Sequence, residues 1–217
     1  MKTFRLSPSS LNLMQECPRC FWLEKNNVWK RPESIFPTLP RGIDRILKIH
    51  FDKFRDKGML PPELDKSECK KEGCLLFPNK ELMRIWRNES KGISYKDSEG
   101  NELMGAIDNL LVKGKKLIVL DFKTRGFDLK ENTHQKYQLQ IDVYNFLLRK
   151  NGYETEDYAF LLFYVPKEVL ETGEIVFDTI LKKIPVNIKN AEITWKKAIK
   201  ILNSECPEKG CEWCQRF

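Results

Sequence analysis

Two aspartates and a lysine lie at the far ends of two neighbouring apolar segments in this chain of 217 residues. Gly114-Lys115 separates the two segments, and a glycine at the first central position fits a two-residue type II′ hairpin loop. Counting outward from this loop places Asp108 directly opposite Asp121. Lys123 follows Asp121 by two residues, so its side chain points to the same face of the predicted sheet.

This face of the hairpin combines charge with apolar surroundings. Like charges opposite each other destabilise a sheet, and a charge among apolar side chains costs several kcal/mol unless it is compensated. A divalent cation would remove both problems, and carboxylate oxygens suit Mg²⁺ or Mn²⁺. We therefore expect Asp108 and Asp121 to bind a metal ion, with Lys123 orienting an attacking water or stabilising charge on a phosphate. The alternative is a structural Asp–Lys pair in solvent. The other residues of this face are apolar: Leu110, Val112, Leu117 and Val119.

The surrounding sequence predicts one α/β domain over residues 1–217, with a mixed sheet flanked by helices. A first helix begins at Ser7, an N-cap residue followed by proline at the first helical position. Prolines make residues 31–40 extended or looping, and residues 59–90 contain a variable insertion. The remaining predictions are helices over 42–58, 80–88, 137–150 and 191–202, a three-stranded meander over 93–96, 103–112 and 117–124, strands over 158–165 and 175–184, and a cysteine-rich tail over 206–217.

Composition narrows the class of protein. Hydrophobic residues form 41% of the chain, which is too many for a disordered protein. The formal net charge of +7 permits a polyanionic partner. The longest apolar run, residues 158–165, is shorter than the about 20 residues that a membrane span needs. The first residues lack the apolar core of a signal peptide, so we expect a cytosolic protein without a membrane partner.

Two Cys-x-x-Cys pairs stand near the two ends of the chain, Cys17 with Cys20 and Cys211 with Cys214. Two such pairs supply the four sulfur ligands of a zinc or iron–sulfur centre, which would join the terminal segments and close the domain. Cys206 is an alternative ligand that could replace Cys17 or Cys20. The odd total of seven cysteines argues against a disulfide framework in a reducing compartment.

The other cysteines and the nearby aromatic residues have simpler interpretations. We expect Cys69 and Cys74 to be free thiols in the insertion. The aromatic side chains either stack on single-stranded bases or pack around the metal site. These residues are Phe21, Trp22, Trp29 and Trp213.

Three short motifs in order resemble the RecB-like branch of the PD-(D/E)XK nucleases. They are Gly105-x-x-Asp108, then Asp121-x-Lys123, then Gln140-x-x-x-Tyr144. The segment from Ser7 to Leu11, which leads to Cys17-Pro18, resembles the N-terminal motif of the same branch. The resemblance implies a restriction-endonuclease-like core and a metal-dependent DNA nuclease, which we expect to be an exonuclease acting on single strands or DNA ends.

The resemblance also implies roles for individual residues. Asp108 and Asp121 would bind Mg²⁺ or Mn²⁺ together with the carbonyl of Phe122, and Lys123 would be the catalytic lysine. A histidine on the helix before the sheet would be a third ligand. His50 is the candidate, with Asp44 as a further one and a hydrogen-bonded core histidine as the alternative.

The next helix and the cysteines also gain roles from the resemblance. Gln140 and Tyr144 would approach the active site or the DNA backbone, unless they form only a half-buried polar pair. Members of this branch carry a [4Fe–4S] cluster between the chain ends, so the cysteine site is expected to hold one, with Zn²⁺ as the alternative. Arg125 and Lys136 flank the loop after Lys123 and would contact DNA phosphates.

Two other classes of function stay open. One is a non-catalytic nucleic-acid-binding or scaffold module that retains the nuclease fold. The other is a zinc-ribbon-like interaction protein in which the acids of the hairpin are incidental.

Overall fold

The computed structural model describes residues 2–32 and 38–216 and shows an α/β protein with two sheets. Short 3₁₀ turns cover Thr133–Tyr137 and Cys214–Arg216. The elements in chain order are β1 (Arg5–Leu6), α1 (Pro8–Glu16), α2 (Pro18–Lys25), α3 (Thr38–Asp56), α4 (Pro62–Asp65), α5 (Glu68–Lys71), β2 (Leu75–Leu76), α6 (Lys80–Trp86), β3 (Ile93–Lys96), β4 (Glu102–Gly105), β5 (Asn109–Lys113), β6 (Lys116–Thr124), α7 (Gln138–Lys150), β7 (Tyr158–Val169), β8 (Ile175–Pro185) and α8 (Ile188–Leu202).

The main sheet has the strand order β2-β5-β6-β7-β8 and is mixed, because β6 and β7 are parallel while the other pairs are antiparallel. A second sheet has the order β1-β4-β3. The prediction of a mixed sheet flanked by helices is thereby confirmed. No helix in the described ranges is both long and apolar enough to cross a membrane.

The predicted three-stranded meander is wrong. The chain leaves the small sheet after Gly105 and enters the main sheet at Asn109, so the segment predicted as one strand is two strands in two sheets. Ile107, between them, is buried, and its backbone N–H donates to the carbonyl of Trp86 at the end of α6. This tertiary hydrogen bond replaces a ladder bond and turns the chain just before Asp108.

Helix α3 begins earlier than predicted. Pro40 was expected in an extended or looping segment, but it lies in the first turn of α3, where proline is tolerated because the early N–H groups have no helical partner. The rest of that predicted segment lies partly in residues 33–37, outside the described residues. The helix ends near Gly58, which has a positive φ of 63° as predicted for a terminating glycine.

The segment after α3 contributes to the core. Leu60, Leu64 and Leu76 are buried, and β2 pairs with β5 at the edge of the main sheet. Whether residues 59–90 are an insertion relative to other proteins stays a prediction. In this fold, residues 60–76 pack with α3 in one hydrophobic layer, whereas Met83 and Trp86 of α6 belong to the other layer.

Alternate residues of β5 and β6 divide between two hydrophobic layers. One layer joins Leu110, Leu117 and Val119 to helices α1, α7 and α8. The other joins Leu111, Ile118, Leu120 and Phe122 to Phe51 of α3 and to the segment after it. The apolar face predicted for the hairpin therefore exists and faces α7.

A partly buried ionic network fixes the turn before β5. Arg87 Nε donates to the backbone carbonyl of Asp108 at 2.7 Å, and Arg87 Nη1 lies 2.7 Å from Asp52 of α3. Asp52 also binds Arg55, which donates to the side chain of Asn109 and to the carbonyl of Phe77. These contacts join α3 and the end of α6 to both sides of the peptide that carries Asp108.

We expect Gly105→Ala to destabilise the protein, because β4 approaches α7 closely at this position. A Cβ atom on Gly105 would lie 2.7 Å from Cε1 and 2.8 Å from Cδ1 of Tyr144. Overpacking of this kind lowers the free energy of unfolding by about 1–3 kcal/mol, which denaturant titration would measure. Gly42→Ala is the control, because it meets no neighbour within 4 Å on helix α3 and should be neutral or slightly stabilising. Equal effects of the two variants would contradict this packing.

We expect Asp52→Asn to lower the free energy of unfolding by about 1–3 kcal/mol at neutral pH, because it weakens two charge-assisted contacts. Burial raises the pKa of Asp52, but Arg87 and Arg55 outweigh this and hold the pKa below its usual value. The stabilisation is therefore present above the unfolded pKa of about 4 and lost as pH falls through the folded pKa.

Unfolding measured from pH 7 into the acid range tests this expectation. The difference between wild type and Asp52→Asn should shrink with acidification. Asp56 is also on α3 and forms an exposed pair with Lys80 of α6, so Asp56→Asn should change stability by no more than about 0.5 kcal/mol. A difference that is constant with pH would show that the charge of Asp52 is not the source.

Candidate functional site

The β5–β6 hairpin brings Asp108 next to Asp121. The observed register pairs Asn109 with Leu120, so Asp108, one residue before β5, lies beside Asp121. Gly114 in the two-residue loop has a φ of 60°, as the predicted turn requires. The predicted register of the hairpin is therefore confirmed.

Asp121 is a buried carboxylate without adequate hydrogen bonds. Its side chain is 0% exposed, and Lys123 Nζ lies 2.6 Å from its Oδ2. Neither carboxylate oxygen receives a well-aligned hydrogen bond. Burial raises the pKa of Asp121 to about 7; the charge of Lys123 opposes this shift and the neighbouring Asp108 adds to it. A buried acid left in this state fits a ligand of a cation.

A cleft of about 460 Å³ opens beside this pair of acids. Lys123 Nζ donates to Gln140 Oε1 at 2.9 Å, and Gln140 Nε2 donates to Tyr144 Oη at 2.7 Å. Gln140 and Tyr144 are four residues apart on α7, so both point from one helical face toward the hairpin. All three motifs that were expected to form the site therefore meet here. Residues that line the cleft include Asp44, Lys48, Arg87, Asp108, Lys123, Gln140 and Tyr144.

Lys48 is a functional candidate that the sequence did not indicate. Its Nζ lies 2.7 Å from Asp44 Oδ2 and 2.9 Å from Asp108 Oδ1, so one ammonium group bridges α3 and the hairpin. Burial lowers the pKa of Lys48, but Asp108 and Asp44 outweigh this and raise it above its usual value. The only signal in the sequence is the i, i+4 spacing from Asp44, which is common on helix surfaces.

His50 and Asp44, the two candidates for a third metal ligand, lie in different places. His50 Nε2 is 3.0 Å from Glu63 Oε1, and its ring packs edge-on against Phe51 and Phe54. Asp44 lines the cleft with Asp108, whereas His50 is not among its lining residues within the described part of the chain. Burial and the charge of Asp108 raise the pKa of Asp44. The metal role of His50 stays a prediction, and the geometry favours Asp44.

The basic residues expected to contact DNA follow β6. Arg125 is partly buried, and its backbone N–H donates to the carbonyl of Tyr164. Lys136 is exposed in the 3₁₀ turn that leads into α7. The ring of Tyr137, the residue after Lys136, has its centroid 4.6 Å from Lys123 Nζ. The contacts of Arg125 and Lys136 with DNA stay predictions.

The predicted cysteine site forms from both ends of the chain. Sγ atoms of Cys17 and Cys214 are 3.8 Å apart, those of Cys20 and Cys211 are 3.5 Å apart, and all four lie within 4.8 Å of one another. Cys206 is outside this group, and Arg19 Nη1 lies 3.7 Å from its sulfur. The cluster joins the N- and C-terminal regions, as expected.

The remaining cysteines are buried, whereas the aromatic residues differ, and the role of Trp213, which is 47% exposed, stays a prediction. Cys69 and Cys74 are buried in the layer below α3, apart from the cysteine cluster, and burial raises the pKa of Cys69 to about 12. Trp22 and Trp29 pack against the cysteine cluster, which confirms that interpretation for these two side chains. Phe21 is part of the main core.

Comparisons with known proteins identify the superfamily of the chain. The family model described as the PD-(D/E)XK nuclease superfamily matches residues 75–216, a range that contains the hairpin and α7. No curated protein matches the chain. Among solved structures, the crystal structure of SSO0001 is similar at 12% identity and a TM-score of 0.44, over 96% of this chain and 81% of that one. The family match covers well over half of the residues. The chain therefore belongs to the PD-(D/E)XK nuclease superfamily.

Proposed function

We propose that this protein is a metal-dependent DNA nuclease that hydrolyses phosphodiester bonds, as an exonuclease on single strands or DNA ends. The observation that carries this proposal is Asp121, a fully buried carboxylate without an aligned hydrogen bond, beside Asp108 and Lys123. Helix α1, which Ser7 caps as predicted, supports the RecB-like branch of the superfamily. The free thiols support a cytosolic location.

The divalent cation, Mg²⁺ or Mn²⁺, would be held by Asp108, Asp121 and the carbonyl of Phe122, with Asp44 as the ligand from α3. These are hard oxygen donors, and Asp121 has no aligned hydrogen bond to give up for the ion. When bound, such a cation supplies Lewis-acid polarisation of the phosphate and a lowered pKa for its water.

Lys123 stabilises negative charge on the phosphate. Burial lowers its pKa, but the charges of Asp121 and Asp108 outweigh this and raise it, so the ammonium keeps its proton. An ammonium group at this position would stabilise the negative charge that develops on the phosphate. Gln140 holds the ammonium on the cleft side through its Oε1.

Binding of DNA would use the basic residues around this cleft. Lys136 is exposed in the 3₁₀ turn that leads into α7, the helix that carries Gln140 and Tyr144. Together with Arg125, it would contact backbone phosphates on one side of the scissile bond. The net charge of +7 supports a polyanionic substrate of this kind.

We expect Asp108→Asn and Lys123→Met to reduce cleavage by at least about a hundredfold, because each removes a charge that acts on the transition state. The assay uses 5′- and 3′-labelled single- and double-stranded DNA with Mg²⁺ or Mn²⁺. Asp178→Asn and Lys167→Met, from an exposed pair on β7 and β8, are matched controls and should cleave normally.

Two outcomes would overturn the proposal. Undiminished cleavage by Asp108→Asn or Lys123→Met would show that these residues do not form the catalytic site. Wild-type protein that binds labelled DNA in EDTA but cleaves nothing in either metal would favour the non-catalytic module that retains the nuclease fold. A zinc-ribbon-like interaction protein would not account for the family match.

We expect Lys48→Met to tighten the binding of divalent cations in the absence of DNA. The ammonium of Lys48 contacts the same oxygens of Asp44 and Asp108 that the cation needs, so the two compete. A gain of about tenfold, which is about 1.4 kcal/mol, is the expected size in calorimetric titration with Mg²⁺ or Ca²⁺. Lys53→Met removes the same charge from the exposed side of α3 and is the control. Unchanged affinity in Lys48→Met would show that the metal does not use these oxygens.

A further inference from the structure

The geometry of the cysteine cluster points to a single tetrahedral ion, and we propose that it is Zn²⁺ instead of the [4Fe–4S] cluster that the resemblance implies. The proposed ligands are Cys17, Cys20, Cys211 and Cys214. This inference concerns a site at the chain ends and is independent of the nuclease proposal.

The separations between sulfur atoms carry the argument. With Zn–S bonds of about 2.3 Å in a tetrahedron, the sulfurs are about 3.8 Å apart. The structure has 3.8 Å between Cys17 and Cys214, 3.5 Å between Cys20 and Cys211, and 3.9 Å between Cys211 and Cys214. These three separations are close to the value for a one-ion site, and all six are within 4.8 Å.

An iron–sulfur cube needs a wider arrangement of cysteines. Each of its four thiolates binds a different iron, and the irons and sulfides lie between the thiolates. Four sulfurs that all lie within 4.8 Å of one another leave no room for such a core. To accept it, the segment from Cys211 to Cys214 would have to move away from helix α2.

The surroundings of the four sulfurs suit a metal site with negative charge. The backbone N–H of Cys20 donates to Cys17 Sγ at 3.5 Å, and that of Cys211 donates to Cys214 Sγ at 3.3 Å. Arg31 Nη2 lies 3.6 Å from Cys211 Sγ. Four thiolates around one divalent cation carry a net charge of −2, so these donors offset the excess and orient the ligands.

The fifth cysteine is excluded from the ligands by its contacts. Cys206 Sγ lies 3.7 Å from Arg19 Nη1 and 3.9 Å from the carbonyl of Pro207, outside the tetrahedral group. Arg19 also donates to the carbonyl of Pro207 at 3.0 Å. Arg19 therefore fixes the tail next to the site, and Cys206 provides a matched control within the same segment.

The decisive experiment measures metal in the full chain after anaerobic purification from cells supplied with both iron and zinc. We expect one zinc per chain, a colourless protein, and a zinc K-edge spectrum of four sulfurs at about 2.3 Å. Four irons with acid-labile sulfide and broad visible absorption would overturn the proposal, and so would a protein without metal.

Variants test the choice of ligands in the same preparation. Cys214→Ser should lose its zinc, while Cys206→Ser should retain one zinc per chain with an unchanged spectrum. Loss of zinc from Cys206→Ser would contradict the assignment. In a further arm, chelated wild-type protein receives either Zn²⁺ or Fe²⁺ with sulfide, and only Zn²⁺ should restore its melting temperature. Nuclease activity is not a readout in either arm, so failure here leaves the nuclease proposal intact.

Discussion

The constraint on which the active-site region depends is the burial of Asp121 on an otherwise apolar face of the main sheet. Burial alone disfavours the charged form of this carboxylate, and the negative charge of the adjacent Asp108 disfavours it further. Each acid has a cation next to it: Lys123 lies against Asp121, and Lys48 lies against Asp108, which also accepts a hydrogen bond from the backbone N–H of Phe122. The burial and mutual repulsion of these two carboxylates remain unfavourable, and a hard divalent cation bound between them would relieve both.

The geometry of this site depends on elements that are distant in the sequence. Asp108 lies in a turn, and the position of a turn depends on its contacts with neighbouring elements. Here Asp52 of α3 binds Arg87 at the end of α6, and Arg87 donates to the backbone of the turn. Helix α7 packs closely against Gly105, before the turn. Helix α3 therefore has two roles, because one side carries the supporting acid and another carries Asp44 and Lys48 into the cleft.

The sequence predicted the parts of the site that local rules govern. The pairing of Asp108 with Asp121 follows from the two-residue period of strands and from Gly114, and both are readable in a short segment. Lys48 was not predictable, because its role arises only when α3 packs on β6 and meets an acid 60 residues away. The division of residues 103–112 between two sheets also depends on a tertiary contact, because the backbone N–H of Ile107 donates to a carbonyl of α6 and not to a neighbouring strand. For His50, helical spacing alone did not show which side of α3 faces the cleft. Asp44 and Lys48 share the side that lines the cleft, and His50, six residues after Asp44, lies on another side.

The two candidate metal sites differ in a way that separates their tasks. The hairpin offers oxygen donors in an open cleft, which suits an exchangeable hard cation and a phosphate. The cysteines offer four soft sulfurs in a closed group with no position left for a substrate. Cys17 lies between α1 and α2, and α1 packs against α7, which carries Gln140 and Tyr144. A closed sulfur site at the chain ends would therefore affect the cleft only by fixing the positions of these helices. That structural task does not require a redox-active metal.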